Sequence, residues 1–344
     1  VRASADEALA QARAELGPIA VVAVGGLGRR MHFPHADLDF VILLERAAPD
    51  ANAALGALIR AVTHPLWDAG LQVNPPVRSV DRWLDEAVED LASCTSLLDM
   101  RVLCGDAAPV ERLRAEAQRR FFGERRGHFL SRVNDEVRGR HSRYGATVYK
   151  VEPDLKLGPG GLRDWCAMHW GLAATYGEAD LAALVERGIV GEQAQALLDD
   201  AIETLVRLRL ALHLAAKRSQ DRLVFQHQEA LPALLGLVAP GVSPSDEELV
   251  EMIETFMQGY YRAASDIARH GVRVFARCLP PREGVQVDIS IDERFFVRDG
   301  RLMHRGSGVF QGRPMLSLLA VSVAQDYECR LGAATADAIV EGLA

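Results

Sequence analysis

Two short stretches constrain this chain most: the unbroken, β-branched run IAVVAV at residues 19–24 and DLDFVILL at 37–44. Runs of this length and composition read as buried strands. Between them lies GGLGRRMHFPHA, with three glycines and two arginines, and two aspartates open the second run. Around this pair, residues 4–16 read as a helix closed by Gly17-Pro18, and residues 51–69 as another. Leu55, Leu58, Ile59, Val62 and Leu66 form the apolar stripe of the second. Residues 70–80 suggest a further strand, broken by Pro75-Pro76. The first 105 residues or so therefore read as a small α/β unit.

Glycines and paired acids beside a buried strand call for a chemical reason. Along a strand, residues i and i+2 share a face, so Asp37 and Asp39 project together into a cleft while Leu38 and Phe40 face the core. Like charges held about 6–7 Å apart by the strand rise repel, and a divalent cation removes that repulsion. Oxygen-only ligands suit Mg²⁺, which retains waters and is completed by substrate phosphates. Gly25 and Gly26 follow the first strand directly, where a Cβ would keep a triphosphate from the backbone amides. Arg29 or Arg30 would neutralise charge on a leaving pyrophosphate. A dinucleotide GxGxxG would need glycine at Met31 and a helix where a strand is expected, and no GKS/T marks a P-loop. A hairpin turn with exposed acids is the plainer alternative. The strand, the double glycine, the spacer and the apolar-flanked DLD together favour the chemical reading.

From there to about residue 275 the pattern is helical. The arginine-dense stretch 111–142 is interleaved with Glu111, Glu116, Glu124, Asp135 and Glu136, which reads as a solvated face rather than a phosphate groove. LKLGPGGLRD at 155–164 is a tight glycine loop opening an apolar helix, a natural anion site. Lys156 and Arg163 add positive charge to Gly160 and Gly161, whereas Asp164 reads equally as a helix cap. His213 and His227 read as packed or partnered rather than metal-bound. Residues 285–304 alternate like a hairpin around Asp-Gly.

At 344 residues the chain is long for one core, and a formal net charge of -8 argues against general affinity for nucleic acid or anionic membrane. Five scattered cysteines without a CxxC pair read as reduced thiols of a cytoplasmic protein. No apolar run reaches the roughly 18–20 residues of a membrane span, and the N-terminus reads as a charged helix rather than a signal peptide. The sequence lacks an initiator Met and stops within TADAIVEGLA, so it is expected to be a piece of something longer.

GGLGRRMHFPHADLDFVILL resembles the signature of the DNA polymerase β-like nucleotidyltransferase superfamily, and more closely that of bacterial [protein-PII] uridylyltransferase/uridylyl-removing enzymes. HPLWDAGLQVNPPVRSV, LLDMRVLCGD, RYGATVYKVEPDLKLGPGGLRDWCAMHW, LRLALHLAAKRSQDRLVFQHQEALPALLG and FMQGYYRAA extend the resemblance over nearly the whole chain, in order. It implies an α+β chain in three parts. A polymerase β-like nucleotidyltransferase domain with a small mixed sheet occupies 1–107, a helical bundle 108–275, and a β-containing connecting segment 276–344. It implies transfer of UMP from UTP to a tyrosine of a PII nitrogen-regulatory protein. Asp37 and Asp39 would be catalytic and metal-binding, with Mg²⁺ as cofactor. Gly25, Gly26, Arg29, Lys156, Gly160, Gly161 and Arg163 would be nucleotide-binding. The family's HD hydrolase and ACT domains would begin near or after residue 344, and no His-Asp dipeptide occurs in this sequence. Adenylyl transfer from ATP to PII or to glutamine synthetase is the nearest alternative, and a catalytically silent nucleotide-binding scaffold the other. The departures motivate the latter: Arg30, Met31 and His32 replace a small residue, an acid and a leucine, and Ala36 replaces a serine. A third carboxylate expected on the later strand is missing, where Gln72 and Asn74 stand. Asp90 and Asp99 are possible substitutes, expected on a helix.

Overall fold

The computed structural model describes residues 2–48, 52–145, 147–236, 245–279, 289–298, 300–327 and 329–343. It is a mixed α/β structure, 62% helical, and divides into two compact units, 1–279 and 280–344.

In the first unit α1 (Arg2–Leu16) leads into β1 (Ile19–Ala23), a single helical turn α2 (Gly25–Gly28), and β2 (Phe40–Leu44). Then come α3 (Ala53–Asp68), β3 (Val77–Ser79), α4 (Val80–Glu89), α5 (Leu91–Ser96) and β4 (Arg101–Gly105). The sheet order is β3-β2-β1-β4. β1 is antiparallel to both β2 and β4, with Ala23 opposite Phe40 and Arg101, and β2 is parallel to β3. The continuous apolar runs have a simple cause: the sheet is covered on both faces. Ile19, Ile42 and Leu44 pack on Ala12 of α1 and Leu58 of α3. Ala20, Val22, Val41 and Leu43 point the other way, into the main core.

That core continues without interruption into the helices. They are α6 (Ala107–Ala117), α7 (Arg126–Tyr144), α8 (Leu162–Tyr176), α9 (Leu181–Glu186), α10 (Glu192–Ala216), α11 (Phe225–Leu234), α12 (Asp246–Asp266) and α13 (Val272–Cys278). Leu113, Leu130, Leu172, Leu205 and Tyr260 join the sheet residues in one cluster. The position expected to part the first two domains, near 107, falls between the end of β4 and the start of α6. The arginine-dense stretch pairs locally: Glu116 accepts from Arg119 and Arg120, and Arg132 donates to the last carbonyls of α4. Among the described residues no helix is long and apolar enough to cross a membrane.

The second unit contains β5 (Ile289–Ser290), β6 (Phe295–Arg298), β7 (Arg301–His304), α14 (Pro314–Asp326), β8 (Arg330–Leu331) and α15 (Ala333–Leu343), with sheet order β5-β6-β7-β8. Phe296 pairs with Met303 and Val297 with Leu302, which is the antiparallel pairing expected of the hairpin. Its first residues, 285–288, and Asp299 of its turn lie outside the described residues. Phe295, Leu302, Phe310 and Leu316 form a core of its own.

Three local expectations need correction. The second strand begins only at Phe40, with Asp37 and Asp39 ahead of it, and the glycine turn after β1 closes as a helical turn in which Arg29 N donates to Gly25 O at 3.0 Å. The third strand is only Val77–Ser79, since the prolines before it supply no ladder donors. β4 lies within a segment that showed no strand periodicity.

Candidate active site

Asp37 and Asp39 stand at the mouth of the sheet. They directly precede β2, and Val24 N donates to Asp39 O at 3.0 Å, prolonging the β1–β2 pairing by one step. The alternation expected of this segment is present: Asp37 and Asp39 are exposed, Leu38 is half-buried, and Phe40 is buried. A Cβ on Gly25 would stand 3.2 Å from Asp39 Oδ2, so the glycine admits the carboxylate and also supplies a left-handed φ. As in any first helical turn, the amides of Gly25 to Leu27 have no acceptor within the helix. Gly26 has a different job: its carbonyl accepts from Met31 N at 2.8 Å, and a Cβ there would lie 3.0 Å from Met31 O.

The electrostatics are those of an unrelieved acid pair. Partial enclosure and the adjacent Asp37 push the Asp39 carboxyl above the usual carboxylate range, against the pull of Lys156, His32 and Arg29. Two oxygen-only ligands in this state fit a hard divalent cation. Asp37 and Asp39 would hold Mg²⁺. Among the described residues, no group of three or more His, Cys, Asp or Glu is placed to share a metal, so waters and phosphates would complete the shell. The substitutes considered for a third carboxylate are committed elsewhere. Asp90 caps α5 through Ala92 N and Ser93 N. Asp99 is buried in the turn before β4. Gln72 and Asn74 are exposed ahead of β3.

Arg29 is not a free phosphate ligand. Its guanidinium forms a buried ion pair with Asp99 and lies 5.8 Å from the Trp170 ring centroid, while Trp170 Nε1 donates to Asp99 Oδ1 at 3.0 Å. Burial pushes the Asp99 carboxyl up to about 6, opposed by Arg29 and the indole N–H. Arg163 lies 5.2 Å from the same ring. Arg29 thus anchors the Gly25–Gly28 turn to α8. Gly28 completes that seat, since a Cβ on it would meet Asp99 O at 2.0 Å.

In the second glycine loop Lys156 is the residue whose charge acts on Asp39. Gly160 and Gly161 are buried with their amides occupied: Gly160 N donates to Asp164 Oδ2 at 2.6 Å, and Gly161 N to Gly158 O at 2.9 Å. A Cβ on Gly160 would meet Ala264 O of α12 at 2.0 Å. These glycines seat the loop and offer no amide to a ligand. Asp164 is bound by Arg140 at 2.6 Å and His141 at 2.9 Å, which hold its carboxyl below the usual range despite burial. A separate cleft of about 570 Å³ lies on another face of this loop, with Arg143, Lys150, Pro159 and Tyr260 among its walls, and Asp37 and Asp39 outside it.

Residues 128–275 match the family model described as GlnD PII-uridylyltransferase. Over 316 residues the chain is 35% identical to the bifunctional uridylyltransferase/uridylyl-removing enzyme of Pseudomonas fluorescens, covering 91% of this chain and 34% of that protein. It is 36% identical over 300 residues to the protein of the same name from Azotobacter vinelandii, covering 86% and 32%. This chain belongs to that family. It spans about a third of the length of the curated relatives it matches. The matched model begins within α7, so the acid pair lies outside it, whereas the 35% identity extends over nearly all of the chain.

Sequence reasoning missed Asp99, Trp170, Arg209 and Asp221 as parts of the site's frame. For Asp99 the partners lie far along the chain, 70 residues away for Arg29 and 71 for Trp170.

Proposed function

We propose that this chain binds a nucleoside triphosphate at the Gly25–Gly28 turn and transfers UMP from UTP to a tyrosine hydroxyl of a PII-type protein. The hydroxyl oxygen forms a bond to the α-phosphorus, the bond to the β-phosphate oxygen breaks, and pyrophosphate leaves. The carrying observation is the solvent-open Asp37–Asp39 pair, set against a left-handed Gly25 and faced by Lys156.

Bound Mg²⁺ would supply charge neutralisation at the phosphates and a lower pKa for the attacking hydroxyl. The protein's own residues do the rest. Asp37 and Asp39 orient the triphosphate end through their carboxylates. The first-turn amides at Gly25 and Gly26 receive phosphate oxygens. Lys156, whose charge acts on Asp39, offers a cation, and Arg29, held by Asp99, keeps the turn in place. The names of the relatives support uridylyl transfer and a PII acceptor. The test is transfer of labelled UMP to a PII trimer: incorporation by the wild type and its loss in Asp39→Asn is the expected result, and undiminished incorporation in the variant sinks the metal-holding role.

One observation favours a second reading. Only two carboxylates face the cleft and no third ligand is placed beside them among the described residues, which suits a module that binds nucleotide without turning it over. Nucleotide binding without pyrophosphate release under excess Mg²⁺ would establish that reading. ATP in place of UTP, offered with PII or glutamine synthetase, separates the adenylyl alternative.

A further inference from the structure

The loop that carries the acid pair is held from outside the sheet. Between Arg29 and Asp37 the chain turns twice through left-handed backbone at non-glycine residues, Arg30 at φ +62 and His35 at φ +60. Such conformations persist only where the surroundings impose them. The second of these turns follows Phe33-Pro34, which the end of α10 and the segment after it hold. Phe33 is buried, with the Arg209 guanidinium 4.2 Å from its ring centroid and the His213 ring at 5.9 Å. His213, fully buried, hydrogen-bonds through Nδ1 to the Pro34 carbonyl. Asp221 orders both helix residues: its Oδ1 accepts from Arg209 Nε at 2.7 Å and lies 3.3 Å from His213 Nε2.

Asp221 also acts through its backbone. Its carbonyl accepts from Leu155 N at 2.8 Å, and Leu223 N donates to Pro153 O at 2.8 Å, so residues 221–223 pair with the strand of chain that delivers Lys156. One short segment is therefore tied to both loops, to the acid loop through Arg209 and His213 and to the Lys156 loop through its own main chain.

We propose that Asp221 is a positioning residue that sets the acid pair against Lys156, acting through Arg209 and His213 on Phe33-Pro34. The inference rests on the nucleotidyl-transfer reading for its rate consequence, but not for its structural one. A misplacement on the order of 1 Å in such a site costs roughly 10²-fold in rate.

The experiment compares wild type, Asp221→Asn and Phe33→Leu, with Arg222→Ala as a control that alters only the neighbouring exposed pair with Glu152. Amide hydrogen exchange is followed on the peptide spanning residues 31–39, where Met31 N and Ala36 N are internally bonded. Labelled UMP transfer is measured across Mg²⁺ concentrations, and thermal melting confirms folding. Asp221→Asn and Phe33→Leu should speed exchange in 31–39 about tenfold or more and lower kcat by about 10- to 100-fold. KM for UTP should stay within about threefold, with part of the loss recovered at high Mg²⁺. Arg222→Ala should match wild type. Phe33→Leu keeps the burial and loses only the stacking, so it decides the matter if Asp221→Asn does not fold. Unchanged exchange in 31–39 in the folded variants overturns the proposal. So does a kcat loss of the same size in Arg222→Ala. If the wild type itself transfers nothing, the transfer reading fails while the exchange measurement still judges the clamp.

Discussion

The two glycine-rich turns of this protein look alike in sequence and do opposite things. At Gly25–Gly28 the glycine conformation opens room for an outward carboxylate, and Asp39 is left exposed with its pKa raised. At Gly158–Gly161 the glycines are buried, their neighbour Asp164 turns inward, and two basic side chains hold its pKa down. What separates a ligand site from a packing device is whether the amides and the adjacent acid already have partners. Glycine content does not reveal this; the partners do.

The largest effect that could break the comparison lies in the buried loop. Gly160→Ala places a methyl 2.0 Å from a backbone oxygen at φ +71 and should cost at least about 4 kcal/mol, read as lost denaturant stability or insoluble protein. A stable Gly160→Ala would mean the loop is free to move and the contrast is wrong. Next, Asp164→Asn removes the buried charge partner of Arg140, which keeps only Glu136, and should cost about 2 kcal/mol. In the wild type the Asp164 contribution is present above the unfolded carboxylate value of about 4. It is lost as pH falls through the lower folded value. Urea melts at pH 7 and pH 3 should therefore converge between wild type and variant at the lower pH.

The open turn should answer in activity instead. Asp39→Asn should reduce transfer by roughly 10² or more with little change in melting temperature, because it removes a repulsion with Asp37. Gly25→Ala should cost about 1 kcal/mol of stability from its left-handed φ and roughly tenfold in transfer as the methyl crowds Asp39.

The smallest effect concerns Asp99, which links the turn to α8. With its carboxyl pushed up to about 6, the pair with Arg29 is fully charged only above that pH. Transfer should decline as pH drops through 6, and Asp99→Asn should flatten that part of the profile. For stability the sign is reversed. The folded protein keeps this proton up to about 6 and the unfolded chain only to about 4, so the Asp99 contribution shrinks as pH rises between those values.

Much of the sheet's frame was legible in the sequence because its signals are local. β1 and β2 announce themselves as apolar runs, α3 by its stripe, and the orientation of Asp37 and Asp39 by simple alternation. β4 was hidden, since Arg101–Gly105 is short and largely exposed and pairs with β1 alone among the strands. The helical turn α2 was hidden too, because four residues carry no period. The supports of the site were illegible for a different reason. Trp170 meets Asp99 across 71 residues of chain, and although Asp221 is only 12 residues from Arg209, the pair acts on a loop that His213 meets at Pro34 across 179 residues. A single sequence carries no record of such pairings. His213 read correctly as packed and partnered, but nothing near it named the partner.

The apolar cluster that starts on the sheet face and ends among α8, α10 and α12 has a practical consequence. A graft that exchanged everything after β4 for an unrelated module would strip one side of the sheet and expose Val22, Val41 and Leu43. Any evolutionary or engineered change in this region must therefore be made by resurfacing these helices, not by cutting them away.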